Sequence, residues 1–214
     1  MTEEHKQGET GGSFLDKDDK KLYTIVKTVS DYLFSVIFLL IISPLFLLLA
    51  FMIRITGKGP VIYSQDRIGK DGRPFSIYKF RTMVFDAEKG TPALSTSNDE
   101  RVTVIGKVLR RYRLDEIPNF INVIKGEMSV VGPRPERLFF INQIVKKAPQ
   151  YIQLHRVKPG ITSLGQVRYG YASTVDEMVK RLDHDLYYLE NRSLWLDMKI
   201  LFLTIGTVFR GKGV

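Results

Sequence analysis

Residues 30–54 read SDYLFSVIFLLIISPLFLLLAFMIR, and from Tyr32 to Ile53 they carry no charge across 22 positions. A helix of that length reaches about 33 Å at about 1.5 Å per residue, enough for a hydrocarbon core of about 30 Å. Ser43-Pro44 stands at its centre. Pro44 lacks a backbone N–H and its ring crowds the carbonyl of Leu40, so a helix is expected to bend or break there. Each half, Tyr32 to Ile42 and Leu45 to Ile53, would be roughly 14 to 17 Å long, and halves of that length can enter a bilayer and return. The Ser43 hydroxyl is placed to take part of the hydrogen bonding that the proline frees. Lys20, Lys21 and Lys27 precede the segment and Arg54 and Lys58 follow it, so charge gives little asymmetry to orient it. A proline-kinked spanning helix and a re-entrant helix both satisfy these residues.

Working outward, residues 1–20 are polar and glycine-bearing with little to bury, and are expected to form a flexible tail. A long polar lead, an apolar run beyond h-region length and the lack of a small-residue cleavage site do not fit a cleaved signal peptide, and the run is expected to be retained. The organisation expected is therefore tail 1–20, membrane helix 21–56 and one compact domain 57–214, since 214 residues leave little room for two.

The net charge of +9 and pI near 9.6 point to an anionic partner: nucleic acid, anionic headgroups or a phosphate-bearing substrate. The apolar segment favours the last two, and no nucleic acid is expected. With no cysteine there is no disulfide framework, thiolate metal site or cysteine nucleophile.

After Arg54, VIYSQDRIG, KDG and RPFSIYKFRTM read as strand, tight turn and strand, followed by a polar loop at 86–101. A basic segment leads to a short helix opened near Pro118 and closed by Gly126, then to a proline-rich loop. A helix is expected from Leu138 to Lys147, stopped by Pro149. VKPGITSLGQVRYGY looks extended with turns. Residues 174–191 carry a helical stripe of Val175, Met178, Val179 and Leu182. The closing SLWLDMKILFLTIGTVF, interrupted by Asp197 and Lys199, fits a helix in the headgroup plane anchored by Trp195, with core packing as the alternative. The fold class expected is thus a mixed α/β membrane-associated domain: a membrane helix, a small strand element, several short helices and amphipathic interfacial helices.

The densest chemistry is RRYRLDEIPNF. Asp115 and Glu116 fall near a helix start, and Lys107, Arg110, Arg111 and Arg113 crowd the positions before them. Guanidinium groups clamp phosphate oxygens, and a carboxylate with phosphates completes the oxygen shell of Mg²⁺. A carboxylate there can also attack phosphorus to give an acyl phosphate. Acidic residues at helix starts are equally common as plain structure. In VVGPRPE, Pro133 and Pro135 stiffen the backbone around Arg134, which lowers the entropy lost when it engages an anion. Lys79 and Arg81 in YKFRTM lie two apart, on one strand face. His5, His155 and His184 are scattered and present no metal spacing.

The serine-proline pair inside the apolar segment, then YKFRTM, RLDEIPNFINVIKGEMSVVGPRPE and VKPGIT in that order, resemble the bacterial monotopic phosphoglycosyl transferases, over Leu22 to Lys212. The resemblance implies transfer of a sugar phosphate from a UDP-sugar to undecaprenyl phosphate with release of UMP. It implies a re-entrant helix broken at Ser43-Pro44 among the lipids of the bacterial inner membrane, with the catalytic domain on the cytoplasmic face. It implies Asp115 as nucleophile, Glu116 as its partner at Mg²⁺, and Arg110 and Arg134 on the substrate phosphates, with Pro133, Pro135 and Glu136 near the nucleotide. Lys79 and Arg81 are counted with the substrate-binding residues, and a homo-oligomer is allowed. Tyr112-Arg113 stands where relatives usually carry small hydroxyl residues, so the resemblance does not name the sugar. The competing class is a basic membrane-anchored protein that binds anionic lipid or nucleic acid without catalysis.

Overall fold

The computed structural model describes residues 17–87, 92, 94 and 99–211; residues 1–16 of the expected tail, His5 and part of the 86–101 loop lie outside these. Helix α1 spans Lys17–Ile55, so its first turn takes up the end of the segment expected as tail. It runs through Pro44 as one helix, where two halves separated by a break were expected. The carbonyl of Leu40, deprived of the Pro44 N–H, accepts the Ser43 hydroxyl at 2.8 Å, as anticipated.

The hairpin follows as read. Strands β1 (Ile62–Ile68) and β2 (Pro74–Phe80) pair antiparallel from Ile62 opposite Phe80 to Ile68 opposite Pro74. Their connection turns at Asp71 and Gly72, both at positive φ (57° and 71°), which an Asp-Gly pair tolerates. The basic segment proves to be helix α2 (Val104–Arg111), capped by Thr103, whose hydroxyl accepts the Gly106 N–H at 3.0 Å. Gly106 is required: a Cβ there would stand 2.0 Å from the Thr82 carbonyl.

Helix α3 (Asn119–Ile124) starts after Pro118 and ends before Gly126, as expected. Strand β3 (Ser129–Val131), unread in the sequence, pairs in parallel with β4 (Gly160–Thr162). Helix α4 (Leu138–Lys147) matches its expected bounds, and a 3-10 stretch at Pro149–Arg156 follows. The segment expected to be extended after Pro159 also contains α5 (Leu164–Arg168), capped by Ser163. Helix α6 (Val175–Glu190) buries Met178 and Leu182, with Val175 and Val179 packed beside them. The chain closes on α7 (Leu194–Phe209).

Three apolar clusters hold these elements together. One joins Ile77, Phe120, Val130, Tyr188 and Ile200; a second lies between α4 and α6; a third ties Leu49 and Ile53 of α1 to Phe80, Leu109 and Ile117. Helix α1 packs on this domain on both sides of Pro44. Before it, Phe38 meets Phe120 at 4.3 Å between ring centroids; after it, Phe46 meets Phe80 at 4.7 Å. Its other face leaves Leu40, Ile41, Leu47, Leu48 and Phe51 exposed, and it is long and apolar enough to cross a membrane. Helix α7 likewise exposes Trp195, Met198, Phe202, Ile205 and Phe209 while burying Asp197 and Ile200.

Candidate active site

A cavity of about 480 Å³ opens between the hairpin, α2, the segment after β3 and α6. Asp115 and Glu116 line it from a 3-10 turn, Leu114–Glu116, entered through Arg113 in the left-handed region at φ 53°. This turn precedes the short α3, so side-chain cations, more than a helix terminus, set the potential here. Lys79, Arg110, Arg113 and Arg134 all reach the cavity; Lys107 and Arg111 do not line it.

The two adjacent carboxylates meet different surroundings. Glu116 Oε1 accepts Lys79 Nζ at 2.7 Å and Arg134 NH1 at 3.2 Å, and its Oε2 lies 3.9 Å from Arg113 NH1. Burial alone would raise its pKa, but Lys79, Arg134 and Arg113 outweigh burial and hold it far below the usual carboxylate range. Asp115 makes no hydrogen bond or ion pair through its side chain with the described residues. Burial pushes its pKa up, opposed by Lys79 and assisted by the charge on Glu116.

Arg134 is held by backbone on one side and charge on the other. The Gly160 N–H donates to the Pro133 carbonyl at 2.8 Å, and a Cβ on Gly160 would stand 2.1 Å from the Gly132 nitrogen. Arg67 NH1 donates to the Pro135 carbonyl. Pro133 and Pro135 therefore shape the loop without lining the cavity themselves. Glu136 does line it, pinned by Arg67 at 3.1 Å and Arg181 at 2.8 Å.

Arg81 makes structural contacts that its expected place on the substrate did not include. Although it shares the cavity wall with Lys79, its guanidinium donates to the carbonyls of Ile53, Gly57 and Lys58, which leave the end of α1. It clamps the end of α1 to the hairpin. Arg110 donates from Nε to the Thr82 hydroxyl at 2.9 Å and reaches the cavity beyond it.

The family model described as bacterial sugar transferase matches residues 22–211. The chain belongs to the bacterial sugar transferase family. It is 44% identical over 192 residues to a UDP-N-acetylgalactosamine-undecaprenyl-phosphate N-acetylgalactosaminephosphotransferase of Aeromonas hydrophila, covering 90% of this chain and 45% of that protein. It is 43% identical over 190 residues to a UDP-glucose:undecaprenyl-phosphate glucose-1-phosphate transferase of Klebsiella pneumoniae, covering 88% and 41%. An exopolysaccharide production protein of Rhizobium leguminosarum bv. phaseoli is 38% identical over 200 residues, covering 88% of this chain and 98% of its own length. The chain spans less than half the length of the first two relatives.

In this bacterial sugar transferase, Arg67 and Arg181 went unread. Their partner Glu136 lies 69 and 45 residues away, and nothing local in SQDRIG or VKRLDHD marks either one. Arg67 had a weak signal: Tyr63, Gln65 and Arg67 alternate along β1 and all line the cavity.

Proposed function

We propose that this chain is the catalytic unit of a phosphoglycosyl transferase that moves a sugar-1-phosphate from a UDP-sugar to undecaprenyl phosphate and releases UMP, a first membrane step in assembling a bacterial glycoconjugate. The observation that carries the reading is Asp115, whose side chain makes no hydrogen bond or ion pair with the described residues although it lines a basic cavity beside an ion-paired Glu116. A carboxylate that serves packing alone is ordinarily tied up in hydrogen bonds or ion pairs, whereas Asp115 keeps its acceptor capacity facing the cavity.

The chemistry follows from these contacts. The donor's diphosphate enters among Arg110, Arg134 and Lys79, whose charges offset its own and favour ionised Asp115. An Asp115 oxygen attacks the phosphorus that bears the sugar. The bond from that phosphorus to the oxygen bridging the two phosphates breaks, its electron pair leaves on UMP, and an acyl phosphate remains on Asp115. A phosphate oxygen of the lipid then attacks the same phosphorus, freeing the Asp115 carboxylate and leaving a sugar diphospholipid. Glu116 keeps its Lys79 and Arg134 contacts through both steps.

The acidic pair fits Mg²⁺. Among the described residues no three His, Cys, Asp or Glu side chains cluster as ligands, so much of the oxygen shell must come from phosphates and water, as Mg²⁺ prefers. Glu116 Oε2 and Asp115 are the oxygens that would hold it, and the ion would neutralise charge on the transferring phosphate.

The membrane placement belongs to the same reading. A helix crossing the bilayer from a domain on one side would carry about half of its length away from that domain. Contacts from Tyr23 to Ile53 with one domain support a re-entrant α1 on the cytoplasmic face of the inner membrane, with α7 beside it in the headgroup plane.

The test is UMP release from a panel of UDP-sugars with undecaprenyl phosphate and Mg²⁺, wild type against Asp115→Asn. Release with one sugar, absent in the variant, is expected. Folded protein in lipid that releases no UMP from any donor, while binding anionic lipid more tightly as Asp115→Asn, would replace this reading with the non-catalytic one.

A further inference from the structure

A second cavity of about 230 Å³ adjoins the first, and Arg81, Met83, Val84 and Phe85 line both. Its remaining walls come from Ile53 near the end of α1, from Thr56, Gly57 and Lys58 just after it, and from Thr103 and Ile105 at the start of α2. The Arg81 guanidinium is turned onto the α1 carbonyls, so the space is bounded mainly by apolar side chains. The lip is built, not incidental. Met83 bridges to Val102, the Val84 N–H donates to the Arg101 carbonyl, and Gly59 at φ 105° admits the Phe85 ring where a Cβ would stand 2.5 Å away.

Resting on the transferase reading above, we infer that this second cavity receives the isoprene units next to the phosphate of the lipid acceptor. Three features select that occupant. One side of the cavity opens into the basic cavity of Asp115, which takes a phosphate. The other side meets the end of α1, whose exposed apolar face continues through Phe51 and Ile55 toward lipid. A ligand that is anionic at one end and apolar from the next carbon onward matches that order, whereas a sugar nucleotide is polar throughout its length. Val84 and Phe85, exposed at the lip, extend the apolar surface between the two.

The two half-reactions separate this inference from the reading beneath it. UMP release from the UDP-sugar alone, in a single turnover without acceptor, reports Asp115 chemistry and needs no lipid. In Ile105→Trp, which fills the second cavity from a residue outside the first, that burst is expected to match wild type. The KM for polyprenyl phosphate is expected to rise about tenfold or more, with weaker discrimination between farnesyl phosphate and longer chains. Thr56→Trp, at an exposed position, repeats the test if Ile105→Trp does not fold. A farnesyl phosphate carrying a diazirine on its second isoprene unit is expected to label residues 53–58 or 103–105. Acceptor KM values within about twofold of wild type in the folded variants, or labelling confined to other segments, would overturn the site. Loss of the burst in wild type itself would overturn the transferase reading first.

Discussion

Two buried charge clusters in this protein look alike in composition and differ in how completely they are paired. At the junction of α1 with the domain, Lys27 Nζ lies 2.9 Å from Asp197 and 3.5 Å from Asp31. Asp197 also accepts the Tyr188 and Tyr23 hydroxyls at 2.8 and 3.0 Å, and Asp31 accepts the Ser129 hydroxyl at 2.6 Å. Both carboxylates there are paired. In the cavity, Glu116 and Glu136 are as fully engaged, yet Asp115 between the same cations is not. Both clusters bear the cost of desolvated charge. The junction recovers it in attachment of the helix, while the cavity leaves one acid with unfilled acceptor capacity, which is what a reacting group requires.

The widest split between the clusters should come from removing one carboxylate in each. Asp115→Asn is expected to lower UMP release by about a thousandfold or more, since it removes the nucleophile proposed above. The same change should raise the melting temperature at neutral pH, because burial raises the Asp115 pKa and its ionised form costs the native state stability. Asp197→Ala, by contrast, leaves Lys27 only its longer contact with Asp31, removes the acceptor of the Tyr23 and Tyr188 hydroxyls, and should destabilise the protein by about 3 kcal/mol in detergent melts, while the UMP burst per folded molecule stays intact. A variant at Asp197 that loses the burst without losing stability would collapse the distinction.

Titration sharpens it further. Glu116 is depressed in the folded state, so its contribution to stability is fully present above the ordinary glutamate value of 4.5 and is lost as pH falls below that toward the folded value. Asp115 runs the other way, its penalty easing as pH falls toward 3.8. The stability difference between wild type and Glu116→Gln should therefore be flat from neutral pH to about 5 and shrink below it.

Smaller effects probe the helix attachment. Arg81→Lys should cost about 1–2 kcal/mol, because one ammonium cannot span the carbonyls of Ile53, Gly57 and Lys58, with the donor KM unchanged. Ser43→Ala should cost about 1 kcal/mol or less, the net value of the bond to the Leu40 carbonyl. A rise in donor KM in Arg81→Lys would return Arg81 to the substrate.

What was legible depended on range. The hairpin, the Pro118 to Gly126 helix and the α6 stripe follow from turn residues and periodicity within a few positions, and all three appear. Helix α2 was missed because its polar, basic run masks a short apolar face whose burial depends on packing against the hairpin. Strand β3 was missed because three residues give no alternation to read, whereas β4 falls in the stretch read as extended. The bonds of Arg81 to the carbonyls at and just beyond the end of α1 were not legible, because a strand-face argument locates a side chain without saying what else will compete for its donors.

The apolar length of α1, the proline at its centre, the basic charge and the covalent adjacency of Asp115 and Glu116 are properties of the chain itself, and sequence alone determined them. Which acid is neutralised was decided only by the tertiary structure: Lys79 is 37 residues from Glu116 and Arg134 is 18, and folding brings both to that carboxylate. The same holds for α1. From Tyr32 to Ile53 its composition is apolar all round, but only packing against Phe80 and Phe120 selects the face that meets protein and leaves the other exposed, because burial is a property of the surfaces that close over a helix.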